Sequence, residues 1–313
     1  RREIGRFSKK DADAYNRFSR DISKQCRFIK PLLMRTPPDP TSFKPKDLNE
    51  LIWLFKRLYG LGEETIYETI RFYTMSVAEY LEEYFENDVV KAALSGSGII
   101  GTGLGPYSPG TAYVLLHHYM GEVDGSIGSW GFARGGMGSV SNALAGALQE
   151  HHGEIKTNAE VKQILVKNGR SVGVVLENGD ELYAKNIVSN LDVKRTYLKL
   201  FEHGDLDEKI IDQVENFKIR GSSGKLNIAL DGLPEFPAMG KNNPLMHADM
   251  HFIDSLERME RAFDDWKNGR WSSDPYCDTL IPTLTDPTMA PPGKHYMSVF
   301  VQYAPPKLAT GEW

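Results

Sequence analysis

One stretch in the middle of the chain restricts its fold more than any other. Apolar and polar residues alternate with a period of two through 159–167, 170–177 and 180–184, which is typical of strands with one buried face. Asn-Gly pairs separate these segments, at 168–169 and 178–179, and Asn-Gly is the strongest short signal for a type I′ hairpin turn. The sequence therefore predicts a three-stranded antiparallel meander.

The residues before the meander have the 3.6-residue period of amphipathic helices. The predicted helices span 8–34, 46–94 in about three pieces, 111–120 and 139–152. Breaks are expected at 60–62 and 87–88, and a glycine-rich loop is expected over 96–110. The first half of the chain is therefore predicted to be largely helical.

Shorter elements of both kinds surround and follow the meander. The predicted strands are a short one at Ile155, an apolar one at 186–190, and two more at 223–231 and 294–303. The predicted helices lie at 192–202, 206–216 and 253–268. Helices and mixed strands in this order indicate a mixed α/β (α+β) fold.

Composition bounds the class of protein. A chain of 313 residues with 41% hydrophobic content can build one large domain or two ordinary ones. Its net charge of -5 does not favour nucleic acid, which usually needs a basic face. The two cysteines, Cys26 and Cys277, are too few and too far apart for a disulfide framework, a zinc cluster or a CxxC redox pair.

The pattern GxGxxG occurs at 96–101. A dinucleotide fingerprint needs a strand before this pattern and a helix after it. Residues 80–94 look helical instead, and the glycines and prolines after the pattern do not favour a helix. The expectation is a flexible loop near the substrate site rather than a nucleotide-binding turn.

A second glycine cluster, at 135–138, precedes a predicted helix. Free N–H groups at a helix start can receive an anion or a polar ligand, although the same glycines also suit a plain turn. The adjacent pairs at 117–118 and 151–152 place their histidines about 100° apart on a helix, so no metal site is expected. No nucleophile or acid–base constellation appears, which suits chemistry carried by a cofactor.

Aromatic residues are frequent over 46–94. Such residues at helical spacing usually form an ordinary core. The alternative is that some of them line a pocket for an apolar substrate. The pattern leaves both interpretations open.

Three segments, 130–200, 108–132 and 281–305, resemble the phytoene-desaturase-like branch of the FAD-dependent amine-oxidase superfamily. In the first, a glycine pair is followed by a helix, a strand, the meander and an apolar strand with a small polar end. The resemblance implies a partial FAD-binding Rossmann-like domain and a substrate domain of mixed sheet and helices. The family's N-terminal GxGxxG unit and C-terminal FAD segment are not found, so we expect this chain to be an internal piece of a longer protein.

The resemblance also divides the chain and implies site residues. Residues 1–134 and 204–313 would be two parts of the substrate domain, and 135–203 would belong to the FAD-binding domain. The implied cofactor-binding residues are Gly135, Gly136, Met137, Glu160, Val161 and Asn190. The implied substrate-pocket residues are Tyr113, His118, Trp130 and Phe132. No catalytic side chain is identified.

The implied activity is hydride transfer from an apolar organic substrate to FAD, with FAD bound weakly or not at all by this piece alone. The first alternative is a partner-binding or assembly factor that keeps the flavoprotein fold, and the second is an amine-oxidase-like activity. A peripheral membrane or protein partner is compatible with both main interpretations. The compartment would be the cytoplasm for a bacterial protein and the mitochondrion for an animal one, and the oligomeric state is not determined.

Overall fold

The computed structural model describes residues 1–240 and 243–313. They form two compact units, the first made of Arg1–Met137 with Gly221–Trp313 and the second of Gly138–Arg220. The fold is mixed α/β with small antiparallel sheets, as predicted. The unit boundaries lie near 137 and 220, against the expected 134 and 203, and the naming of the parts as cofactor and substrate domains stays a prediction.

The first unit begins with six helices and a short hairpin. They are α1 (Lys9–Ile29), α2 (Pro45–Tyr59), α3 (Glu63–Thr74), α4 (Val77–Glu82), α5 (Asp88–Ile99), α6 (Thr111–Tyr119), and strands β1 (Glu122–Val123) and β2 (Ser126–Ile127). Helix α1 begins where Ser8 accepts a hydrogen bond from the Asp11 amide, and α4 begins with a capping box between Ser76 and Glu79. The expected helix breaks at 60–62 and 87–88 are confirmed. A further break, which was not predicted, precedes α4, where Ser76 caps the helix.

The core of these helices is built on α1. Phe18, Ile22 and Cys26 are buried with Leu81 of α4 and Leu115 of α6. Burial raises the pKa of the Cys26 thiol to about 11, so this cysteine is a packing residue rather than a reactive thiolate. The aromatic residues of 46–94 divide between core and surface. Phe72, Tyr80 and Phe85 are buried, whereas Phe55, Tyr59 and Tyr67 are exposed.

The prediction of a loop over 96–110 is wrong for its first residues. Positions 96–99 form the last turn of α5, and the helix before them rules out the nucleotide fingerprint, as expected. A Cβ at Gly96 would lie 2.3 Å from the Tyr276 hydroxyl, and one at Gly98 would lie 2.8 Å from Val77. These glycines therefore serve close helix packing rather than loop formation.

The second unit contains the predicted meander. Its elements are α7 (Met137–Glu150, whose first residue belongs to the first unit), β3 (Val161–Lys167), β4 (Arg170–Leu176), β5 (Glu181–Tyr183), α8 (Val193–Lys199) and α9 (Glu208–Asn216). The three strands pair antiparallel in the order β3-β4-β5. Asn168 and Gly169 both have positive φ, so the first turn is type I′ as predicted.

The second turn differs from the prediction. Of its Asn-Gly pair only Gly179 has positive φ, at 90°. The Gly179 amide donates to the Leu176 carbonyl at 2.9 Å, which is typical of a type I turn followed by a left-handed residue. The hairpin loop is therefore one residue longer than a type I′ turn allows.

Two predicted strands are wrong. Ile155 and residues 186–190, all within the described part of the chain, are not assigned to a strand. An apolar run becomes a strand only when a neighbouring strand takes its backbone hydrogen bonds. Val188 is instead 92% exposed.

The remainder of the first unit is a four-stranded antiparallel sheet with one helix. It comprises β6 (Ser223–Leu230), β7 (Met250–His251), α10 (Leu256–Lys267), β8 (Tyr276–Leu280) and β9 (His295–Gln302), with strand order β6-β9-β8-β7. Predictions for β6, β9 and α10 are confirmed, but the short β7 and β8 were not foreseen. Ile99 of α5, Met259 of α10 and Tyr276 of β8 share one core. Among the described residues, no helix is long and apolar enough to cross a bilayer.

Candidate functional site

Aromatic rings in mutual contact lie on and beside α6 in the first unit. Tyr113 stacks on Tyr73 with ring centroids 4.8 Å apart, and it lies 6.3 Å from the ring of His117. The next ring, His118, stacks on Trp130 at 6.1 Å and an interplanar angle of 8°. The structure therefore brings together three of the four predicted pocket residues, Tyr113, His118 and Trp130. We call these three residues, together with Tyr73 and His117, the aromatic row.

A hydrogen bond holds the His118 ring in place. Its Nδ1 lies 2.9 Å from the Val114 carbonyl oxygen. Because a carbonyl only accepts, Nδ1 carries the proton, and Nε2 is left as the acceptor of the neutral ring. The orientation needed for stacking on Trp130 is thus set by α6 itself.

The aromatic row is apolar in character and open to solvent. Trp130 is 70% exposed, and Phe132, the fourth predicted residue, is also exposed. Burial, followed by the neighbouring Tyr113, raises the pKa of Tyr73 to about 12, so its phenol is neutral at ordinary pH. Flat rings of this kind can hold an apolar or conjugated molecule by dispersion and stacking.

The glycine pair predicted to lie near the cofactor is also in the first unit. Gly135 and Gly136 have φ of 82° and 79°, which glycine adopts readily, and Met137 begins α7. The Gly135 amide donates to Asp286 Oδ2 at 2.6 Å. This contact, together with bonds from Thr288, holds the pKa of the Asp286 carboxyl below its ordinary value.

Sequence reasoning missed Asp286 as a residue that fastens this loop. The Asp-Pro-Thr run at 286–288 signals a local cap, which it makes through the Thr288 amide at 3.1 Å. The second hydrogen-bond partner of Asp286 is the Gly135 amide, 151 residues away in the chain, and no local sequence pattern indicates this contact.

The other predicted cofactor residues are in the second unit. The Glu160 carbonyl accepts from the Glu177 amide at 2.9 Å, and the half-buried Val161 begins β3 opposite Leu176. Asn190 is exposed and follows Ser189, whose hydroxyl lies 2.8 Å from that of Thr196. The predicted cofactor set is therefore divided between the two units, three residues in each.

A cavity of about 340 Å³ lies beside Asn190 in the second unit. Ile164, Ile187, Leu191, Tyr197 and Phe201 line it together with Ser171, Ser189, Val193 and Thr196. The walls are apolar with a few hydroxyl groups, and the adjacent Asn190 offers a neutral amide. Within the second unit, an apolar wall and a neighbouring amide are groups that can contact a flavin, so these residues fit part of such a site.

One polar cluster was not predicted at all. On the four-stranded sheet, His251 Nε2 lies 3.2 Å from Asp249 Oδ2 and 3.9 Å from Asp278 Oδ2. Burial, followed by the hydrogen bond and charge of Asp249, raises the pKa of the Asp278 carboxyl to about 7. The spacing of Asp249 and His251 at i and i+2 could have placed both on one strand face, but nothing local points to Asp278.

Residues 63–304 match the family described as flavin containing amine oxidoreductase. The chain is 33% identical to mouse pyridine nucleotide-disulfide oxidoreductase domain-containing protein 2, over 99% of this chain and 56% of that protein. It is 30% identical to carrot chloroplastic prolycopene isomerase, over 83% of this chain and 38% of the relative. It is 27% identical to the lycopene-forming phytoene desaturase of Pseudescherichia vulneris, over 70% and 41% respectively.

Among solved structures, an oxidoreductase from Methanosarcina mazei superposes with a TM-score of 0.50 at 18% identity. It covers 74% of this chain and 48% of the other, and this likeness concerns the fold alone. The chain spans about half the length of the curated relatives it matches. The phytoene-desaturase-like resemblance and the flavin that it implies are confirmed at the level of the family. The chain therefore belongs to the family of flavin containing amine oxidoreductases.

Proposed function

We propose that the intact protein is an FAD-dependent oxidoreductase of the desaturase or dehydrogenase type, acting on an apolar organic substrate. The family match supports the cofactor, and relatives named phytoene desaturase support the reaction class. The observation that carries the substrate class is the aromatic row, in which Tyr113, His118 and Trp130 stand in continuous ring contact beside solvent.

Within this proposal the residues of the chain bind and orient the substrate. Tyr113 and Trp130 supply flat faces against which an apolar chain or ring packs, and the tethered His118 keeps the Trp130 face in one orientation. Bound FAD supplies the two-electron acceptor. The aromatic row contains no carboxylate, ammonium or guanidinium group, so its flat faces favour an apolar ligand.

Replacement of Trp130 tests the pocket. In the intact protein, Trp130→Ala should lower turnover of an apolar substrate at least about tenfold, because a stacking face is lost, while flavin content stays normal. Trp271→Ala is the matched control, since Trp271 is 68% exposed and Trp130 70%. Unchanged turnover in Trp130→Ala, or an equal loss in Trp271→Ala, would remove the aromatic row from the site.

We also propose that this chain alone binds FAD weakly or not at all. The proposal rests on the apolar face of α7, where Val140, Leu144 and Leu148 are exposed, and on the exposed Val188. Apolar faces of this kind usually need a covering layer, and a cofactor site lined on one side only loses most of its contacts. Visible flavin absorbance that followed the 313-residue chain through gel filtration in a stoichiometric amount would contradict the proposal.

A second proposal concerns attachment to a membrane surface. Leu48, Ile52, Phe55 and Tyr59 form an exposed apolar stripe at i, i+4, i+7 and i+11 of α2. An open groove of about 1290 Å³ between α1 and α2 is lined by Arg20, Lys24, Arg27, Lys56 and Arg57, with Asp21 as its acid. An apolar stripe beside a basic groove is complementary to an anionic lipid surface.

Vesicle sedimentation tests this attachment. The chain should sediment with vesicles of phosphatidylserine and phosphatidylcholine, and less with phosphatidylcholine alone. Phe55→Asp should weaken sedimentation, whereas Tyr183→Asp, which changes an exposed aromatic residue of the second unit, should not. If the chain sediments with neither kind of vesicle, the membrane proposal is overturned. The stripe would then be a candidate surface for a protein partner.

A further inference from the structure

The cluster of Asp249, His251 and Asp278 lies on one face of the four-stranded sheet. His251 of β7 is directly opposite Asp278 of β8 in the antiparallel register. Asp249 immediately precedes β7, and its carboxylate lies 3.2 Å from His251 Nε2. The backbone therefore directs all three side chains to one point.

The distances between the three ligand atoms match the space around one metal ion. The His251 Nε2 atom is 3.2 Å from Asp249 Oδ2 and 3.9 Å from Asp278 Oδ2, and all three atoms lie within 4.8 Å of one another. A tetrahedral ion with bonds of about 2.0–2.2 Å holds its ligand atoms about 3.3–3.6 Å apart. Modest side-chain adjustment would bring the three atoms to that spacing.

Helix α5 and the two carboxylates surround the histidine. The Ala93 backbone of α5 lies near the His251 ring, and His251 Nε2 is 3.2 Å from Asp249 Oδ2. A divalent ion would take the place of a proton between the imidazole and the carboxylates, because metal ligands bind in their deprotonated form.

Tyr276 adds an independent observation. It lies on β8 two residues before Asp278, and its ring centroid is 5.5 Å from that of His251. Its hydroxyl is fully buried against Gly96 and, within the described part of the chain, has no hydrogen-bond partner. A buried phenol without a partner is destabilising, and its ring packs against the His251 ring of the cluster.

Charge and access are compatible with an ion. Among the groups that act to lower the pKa of Asp278 are His251 itself and, two strands away, Lys225 of β6. Asp249 is about half exposed, whereas the His251 and Asp278 side chains are mostly covered. The cluster therefore has one open side by which an ion can enter and two sheltered ligands that can retain it.

We propose that Asp249, His251 and Asp278 bind one divalent transition-metal ion of the Zn²⁺ class, with water at the remaining position. Two carboxylate oxygens and one imidazole nitrogen are ligands that Zn²⁺ accepts in tetrahedral sites. The ion joins β7 and β8, and through His251 it stabilises the contact of this sheet with α5. The proposal does not depend on the flavin reaction, and it departs from the sequence-based expectation of no metal site.

The test uses the 313-residue chain after removal of metals with a chelator. Titration with Co²⁺ should give the visible absorption of four-coordinate cobalt with one equivalent bound, and Zn²⁺ should displace it. His251→Gln and Asp278→Asn should each weaken Zn²⁺ binding, measured by calorimetry, by more than about tenfold. Asp249→Asn changes a half-exposed side chain and serves as the variant least prone to misfolding.

The matched controls are His247→Gln and Asp231→Asn, which change exposed residues of the same unit. Both should bind one equivalent with unchanged affinity. The proposal is overturned if the metal-free chain binds no stoichiometric Co²⁺ or Zn²⁺. It is also overturned if Asp249→Asn binds as tightly as the unaltered chain, or if the controls lose affinity equally.

Discussion

Helices α1 and α7 each carry an apolar stripe, in opposite surroundings. In α1, Phe18, Ile22 and Cys26 are buried in the core of the first unit. In α7, of the second unit, the described structure contains no buried side chain, and Leu144 is 69% exposed. The difference shows that an amphipathic pattern states which face a helix will bury but not whether this chain supplies the layer that covers it.

The two units differ in the same sense. The first contains three hydrophobic clusters, one on α1, one between α5 and the four-stranded sheet, and one near β7. The buried apolar residues of the second unit are few, namely Ile164, Leu176, Leu200 and Val214. A chain that spans about half of its relatives' length thus includes a well-filled unit and a unit with uncovered apolar surface.

The largest effect is expected at Phe18. Its ring lies 5.3–6.0 Å from those of Phe85, Tyr84 and Tyr119. Phe18→Ala should lower the free energy of unfolding by about 3–5 kcal/mol, because it leaves a cavity among these rings. Urea denaturation followed by fluorescence measures the change. Phe43→Ala removes an exposed ring and should cost less than about 0.5 kcal/mol; equal losses would contradict the assignment of the core.

A smaller effect is expected at Gly96. A Cβ there would lie 2.3 Å from the hydroxyl and 2.9 Å from Cζ of the fully buried Tyr276. Gly96→Ala should therefore lower the free energy of unfolding by about 1–3 kcal/mol, despite the better helix propensity of alanine. The double variant Gly96→Ala with Tyr276→Phe should recover part of the loss. A stabilised single variant would show that α5 does not pack here.

At Leu144 of α7, stability should hardly change. Leu144→Ser should alter the free energy of unfolding by less than about 0.5 kcal/mol, since the side chain is exposed. It should also reduce binding of a hydrophobic dye and self-association, because it interrupts the uncovered stripe. Leu115→Ser, in the core of the first unit, is the control and should cost several times more. A large loss of stability in Leu144→Ser would mean that α7 is covered.

The smallest effect concerns the glycine loop before α7. The Gly135 amide and the Thr288 groups hold the pKa of Asp286 below its ordinary value. A lowered carboxyl pKa stabilises the loop at pH values above the unfolded pKa, and this contribution is lost as the pH falls through the folded pKa. Protection of the Gly135 amide from hydrogen exchange, measured relative to the intrinsic rate at each pH, should therefore decrease in acid. Asp286→Asn should remove that pH dependence, and its persistence would mean that another group controls the loop.

Several features were accessible from the sequence because local rules determine them. The meander follows from strand alternation with Asn-Gly turns, and α1 follows from its apolar spacing and the cap at Ser8. The family resemblance placed His118 and Trp130 in one pocket, but it did not predict that their rings stack. Chain-local patterns therefore predicted most helices and the central sheet.

Other features depend on neighbours that are distant in the chain. Residues 186–190 look like a strand, but no strand pairs with them among the described residues. In the sequence, Gly96 looks like a loop residue. In the structure it lies in α5, where it packs closely against the Tyr276 side chain, 180 positions away in the chain.

The sequence by itself thus determined the kinds of elements, most of their positions and the family of the chain. Only the tertiary structure decided which apolar faces are covered and which polar groups meet. The register of β7 and β8 places Asp278 beside Asp249 and His251. Asp286, 151 residues later in the chain, lies beside Gly135 and accepts a hydrogen bond from its amide. The physical reason is that helix and strand periods depend on neighbouring residues, whereas burial and ligand geometry depend on packing between segments far apart in the chain.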